Sequence, residues 1–117
     1  MTLTPAWTLF EADDFLKRIA DDLFNLGVTA QVVGSVARQG FSNNDLDLLL
    51  TPLLPMSLED IIDAVEARLL PKISTDSHVN PLESAHHDNV WFLNIALKDH
   101  RIVELYLPES TFPVEGM

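Results

Sequence analysis

The segment Asp45-Leu46-Asp47-Leu48-Leu49-Leu50 constrains this chain more than any other. Leucines fill positions 46, 48 and 50, while acids fill 45 and 47. Successive side chains of a strand point to opposite faces, so the pattern is that of a strand with one greasy face and one acidic face. A helix would scatter the same residues around its circumference. The leucine face needs an apolar cover, and Pro52 with Pro55 ends the strand. On the other face, two carboxylates so close repel each other unless a cation sits between them.

The flanking residues supply the cover. Thr8 with Glu11 makes a capping-box start, and Phe15, Leu16, Ile19, Leu23 and Phe24 recur at helical spacing, with Gly27 as the stop. This predicts a helix over 9–26. Val28 to Val33 is rich in β-branched residues and reads as a strand closed by Gly34. Residues 35–38 form a short helical turn that Gly40 closes, and Ser42-Asn43-Asn44 favours a turn. A second amphipathic helix is predicted over 58–70, capped by Ser57 with Asp60 and stopped by Pro71.

Residues 72–89 are polar and hold three of the four His, which predicts a long loop around a short strand near 72–74. Residues 90–97 and 101–107 form a hairpin joined by Lys98-Asp99-His100. The order predicts an α/β (α+β) fold: a single two-layer domain over 1–117, with a small mixed β-sheet and helices packed on one face. Residues 1–8 and 108–117 are expected to be flexible ends.

Composition narrows the chemistry. With 117 residues the chain is one domain's worth, and without Cys it excludes a disulfide scaffold, thiolate catalysis and Cys-based zinc sites. Eighteen acids against seven bases give a net charge of −11, which argues against nucleic acid as a partner, because phosphate backbones are gripped by clustered Lys and Arg. The first charged residue is Glu11, no Lys or Arg precedes Lys17, and no apolar run approaches the ~20 residues of a membrane span. The expectation is a soluble, cytoplasmic protein with no membrane partner.

The chemistry concentrates in residues 34–47. A strand ending in Gly34-Ser35 can expose backbone N–H groups and a hydroxyl to an anion, and Arg38 can add its planar fork. Hard oxygen ligands such as Asp45 and Asp47 suit Mg²⁺ or Mn²⁺ bound together with phosphates. Glu104 is the candidate third carboxylate, because Val103, Leu105 and Leu107 take the opposite face of its strand. An odd-length loop at 98–100 would place Asn94 beside Glu104, whereas an even one would place Ile95 there. His86 and His87 invite a metal reading, but adjacent His in a polar loop are more often solvent-exposed.

The Gly34-Ser35 pair, Ala37-Arg38, and Asp45-Leu46-Asp47 resemble the core motif of the DNA polymerase beta-like nucleotidyltransferase superfamily, and the length resembles its minimal nucleotidyltransferase domains. The likeness covers residues 28–50, with Glu104 extending it. It implies phosphate binding of an NTP, with ATP the first expectation, by Gly34, Ser35, Arg38 and Ser42. It also implies two Mg²⁺ ions on Asp45, Asp47 and Glu104, these three being the catalytic residues. Gln39 stands where the motif commonly has Gly, the loop to Asp45 is about a residue short, and the third acid is Glu. The implied activity is transfer of a nucleoside monophosphate to a hydroxyl of a helical, toxin-like partner protein, in the manner of an antitoxin, the site being completed by that partner or by a second copy. A small-molecule, antibiotic-type nucleotidyltransferase and a catalytically inactive binding or regulatory module remain the alternatives.

Overall fold

The computed structural model describes residues 6–76, 86–87 and 89–115. Its first strand, β1 (Trp7–Thr8), leads into helix α1 (Leu9–Leu26). The helix starts where the sequence predicts: the Thr8 hydroxyl oxygen accepts from Glu11 N–H, and the Glu11 carboxylate accepts from Thr8 N–H, both at 3.2 Å. It stops at Gly27, whose φ of 89° is the left-handed cap conformation.

Strand β2 (Val28–Val33), the short helix α2 (Gly34–Gln39), β3 (Phe41–Ser42) and β4 (Asp45–Pro52) follow. Helix α3 (Leu58–Ala64) has the predicted Ser57–Asp60 capping box. Pro71 does not stop it. The chain passes through one π-helical turn, Val65–Leu69, and continues as α4 (Leu70–Ile73). The reason is local: Leu70 N–H bonds to Val65 O, five residues back, and this wider turn reopens the ladder just before a residue that has no N–H and whose ring would crowd the preceding turn.

Lys72 and Ile73 therefore finish a helix rather than start a strand. Ser74 alone bridges to Leu97, and its hydroxyl donates to Ala96 O at 2.6 Å. Residues 77–85 of the predicted loop lie outside the described residues. His86–His87 form a short edge strand, β5, where a loop was expected. Strands β6 (Val90–Ala96) and β7 (Ile102–Pro108) make the predicted hairpin.

The main sheet runs β2-β4-β7-β6-β5. Strands β4 and β7 pair in parallel and the other neighbours are antiparallel, so the sheet is mixed. Leu46, Leu48, Leu50, Leu93, Ile95, Val103, Leu105 and Leu107 are buried with Phe15, Ile19 and Leu23 of α1 and Ile61, Val65 and Leu69 of the second helical segment. Each such side chain contributes about 1.5–3 kcal/mol on burial, which fixes the register, since a slip of one residue would turn all of them outward. The alternate residues Asp45, Asp47 and Leu49 on β4, and Ile102, Glu104 and Tyr106 on β7, are half-buried on the opposite face.

Both ends are held more firmly than expected. Trp7 is fully buried, donates from Nε1 to Ile102 O at 3.1 Å, and carries the Arg101 guanidinium 3.9 Å from its ring centre. Residues 1–5 of the expected flexible end, and 116–117 at the other, lie outside the described residues. At the far end Phe112 is fully buried, Phe112 N–H donates to Pro108 O, and Pro113 O accepts from Leu58 N–H, both at 2.8 Å. An apolar anchor three or four residues beyond a strand converts a fraying tail into a docked one. Among the described residues no helix is long and apolar enough to cross a membrane.

Candidate metal centre

Three carboxylates meet on the open face of the sheet. Strand parity puts Asp45 and Asp47 together on β4, and the parallel register sets Asp47 directly beside Glu104 of β7. One oxygen from each of Asp45, Asp47 and Glu104 lies within 4.8 Å of the other two. Among the described residues this is the one group of three His, Asp or Glu side chains that closely placed. The side chains of His86 and His87 are outside the described residues. A concavity of about 650 Å³ between Pro52–Ser57 and Ser110–Glu115 shares no residue with the cluster.

The hairpin completes the row. Lys98, Asp99 and His100 sit at its tip, and the odd register pairs Asn94 with Glu104 across β6 and β7. Asn94 is exposed, so its amide borders the cluster on the side away from Asp47.

Electrostatics show that burial and mutual repulsion make the charged forms of these acids costly. The Asp47 carboxyl is pushed above its ordinary value, first by burial and then by the charge of Asp45, with a Tyr106 hydrogen bond and the Arg38 charge pulling it partly back. Glu104 is also pushed up, first by burial and then by Asp47 and Asp45. Carboxylates made costly by burial and mutual repulsion are the donor set that a small hard dication relieves, so the residues present fit Mg²⁺ or Mn²⁺.

The strand-to-helix turn presses on this cluster. Val33 pairs with Asp47, and Gly34 follows with φ +70°. A Cβ on Gly34 would meet Asp47 Oδ2 at 2.2 Å, so only glycine lets the turn come this near. Ser35 is half-buried in the first turn of α2, and Arg38 is exposed on the same short helix, close enough for its charge to act on Asp47. Ser42 is placed differently. It is buried on β3 opposite Trp7, and its hydroxyl oxygen accepts from Asn44 N–H at 3.1 Å, shaping the turn that leads into Asp45.

Compared with protein-family models and with curated proteins, the chain matches none. The site therefore rests on its own geometry, and that geometry contains one residue the sequence reading did not single out. Tyr106 leaves the same face of β7 as Glu104 and stands near enough to both carboxylates that its own pKa is pushed up to about 12, first by burial and then by the Asp47 and Glu104 charges. The alternation that puts Glu104 opposite Val103 and Leu105 also puts Tyr106 on Glu104's side. What the sequence lacks is the pairing of β7 with β4, which brings that hydroxyl to Asp47.

Proposed function

We propose that this chain is a metal-dependent nucleotidyltransferase that moves a nucleoside monophosphate from an NTP, ATP being the first candidate, to a hydroxyl of a partner protein. The observation that carries the reading is the Gly34 turn lying against Asp47 within a cluster of three convergent carboxylates. A phosphate-binding turn and a hard-cation site so near each other suit a substrate that brings both phosphate and metal.

The residues divide the work. Gly34 and Ser35 offer backbone and hydroxyl donors to the outer phosphates, and Arg38 offers its guanidinium to the same oxygens. Asp45, Asp47 and Glu104 would hold Mg²⁺ or Mn²⁺, which when bound supplies Lewis-acid stabilisation of the charge on the phosphoryl and leaving oxygens. The acceptor oxygen forms a bond to the α-phosphorus while the bond from that phosphorus to the bridging oxygen breaks, and pyrophosphate departs. Glu104 accepts the hydroxyl proton and passes it to solvent.

The test is a thermal-stability titration with ATP in the presence and absence of Mg²⁺, repeated on D45N/D47N. Stabilisation that needs both ATP and metal and that vanishes in the double variant supports the reading. Label should pass to the acceptor from α-labelled but not γ-labelled ATP. Absence of stabilisation by every NTP with either Mg²⁺ or Mn²⁺ overturns it.

A further inference from the structure

We propose that Tyr106 is a positioning residue for the metal centre, its hydroxyl donating to one carboxylate of the Asp47–Glu104 pair and so fixing the direction in which that ligand points. The inference rests on the reading of the cluster as a cation site and adds a member to it that ligates nothing.

Three placements converge on this role. Tyr106 lies two residues after Glu104 on β7, so both side chains leave the same face of one strand. Across the parallel pair it stands beside Leu49, which is two residues after Asp47, so the phenol reaches diagonally to the Asp47 side. On the antiparallel side Phe92 is its register partner, and the two rings meet edge to face with centres 4.8 Å apart at 79°. That contact fixes the ring.

The chemistry follows from counting donors. Asp47 and Glu104 are acceptors only when ionised, and they repel each other. A phenol has one O–H, and this one stands on the face of both carboxylates, two residues along from Glu104 on its own strand and from Asp47's register across the parallel pair. Donating to one oxygen leaves that carboxylate's other oxygen for a cation and fixes the direction in which it points. Ligating carboxylates are commonly held by such outer hydrogen bonds, and removing the partner typically weakens metal binding by about 10- to 100-fold. Phe92, Leu49 and strand pairing on both sides make the donor rigid, which loose surface donors would not be.

Tyr106→Phe tests this, because it keeps the ring against Phe92 and removes only the hydroxyl. The expected result is metal-free thermal stability close to wild type, with Mn²⁺ binding by titration calorimetry weaker by about tenfold. Equal Mn²⁺ affinity in wild type and Y106F overturns the positioning role and leaves the nucleotidyltransferase reading standing. Absence of Mn²⁺ binding to the wild type, both alone and with ATP present, overturns both.

A second measurement does not depend on Y106F folding. The chain has one tyrosine, so 3-fluorotyrosine incorporation gives a single ¹⁹F resonance. That line should shift when Mg²⁺ is added, and should shift again on Asp47→Asn in metal-free protein. A line indifferent to both overturns the proposal. A nucleotide adduct on Tyr106 in intact mass after incubation with ATP would make the residue an acceptor and equally overturn it.

Discussion

Gly34 and Asp47 are fitted to each other: the backbone of one occupies space that leaves 2.2 Å between a would-be Cβ and the carboxylate oxygen of the other. The first prediction follows directly. Gly34→Ala must either move Asp47 or unwind a turn at φ +70°, a conformation that costs an L side chain about 1–3 kcal/mol. Urea unfolding should show a loss of that size, and Mn²⁺ affinity should fall with it. Wild-type values in both would mean that the turn has room to relax.

A second prediction concerns pH. Asp47 and Glu104 have folded pKa values above their ordinary 3.8 and 4.5. In that window the folded chain holds more protons than the unfolded one, so these groups favour folding fully below 3.8 and lose that contribution as pH rises through their raised values. Asp99, held below its ordinary value mainly by its Arg101 hydrogen bond, has the opposite sign and loses its contribution as pH falls. The difference in stability between wild type and D47N/E104Q cancels Asp99. Measured in EDTA from about pH 4 to about pH 7, that difference should move against the wild type as pH rises. Saturating Mg²⁺ should reverse the trend, because the cation needs the deprotonated form.

Arg38 offers a third. It is exposed and contributes no buried contact, so Arg38→Ala should leave the unfolding midpoint nearly unchanged. A charge-assisted phosphate contact is worth enough that its loss should raise the dissociation constant for ATP by about tenfold or more, while Mn²⁺ binding without nucleotide changes much less. If ATP affinity is unaffected, the phosphates lie elsewhere.

The fourth addresses the tail. Phe112 is fully buried, and truncating a buried Phe costs about 3–5 kcal/mol. Phe112→Ala should therefore unfold at much lower urea than wild type. A tail that merely frays would show no such effect.

What was legible in the sequence is what strand parity and capping chemistry control. Thr8, Glu11 and Gly27 bound α1 to the residue, since each satisfies backbone groups within a few positions of itself. Asp45, Asp47 and Glu104 share a face because their leucine and valine neighbours must be buried. The hairpin itself was readable too, while the choice between Asn94 and Ile95 beside Glu104 stayed open until the register showed Asn94. Trp7, Phe112 and the reach of Tyr106 to Asp47 were hidden because each depends on partners far along the chain. Pro71 misled for another reason: the rule that proline ends a helix assumes an unbroken four-residue ladder, and a π turn suspends it.

Strand β7 is the last strand described, yet it lies in the middle of the sheet, between β4 and β6. Its position gives the site a history as well as a geometry. During synthesis Asp45 and Asp47 emerge well before Glu104 and Tyr106, and until β7 inserts, β4 has an open edge on that side. Closing that gap seals the sheet and delivers the third carboxylate and the phenol in a single event. A cation that requires all three acids would therefore bind only chains in which β7 has taken its place, making occupancy of the centre a readout of sheet closure.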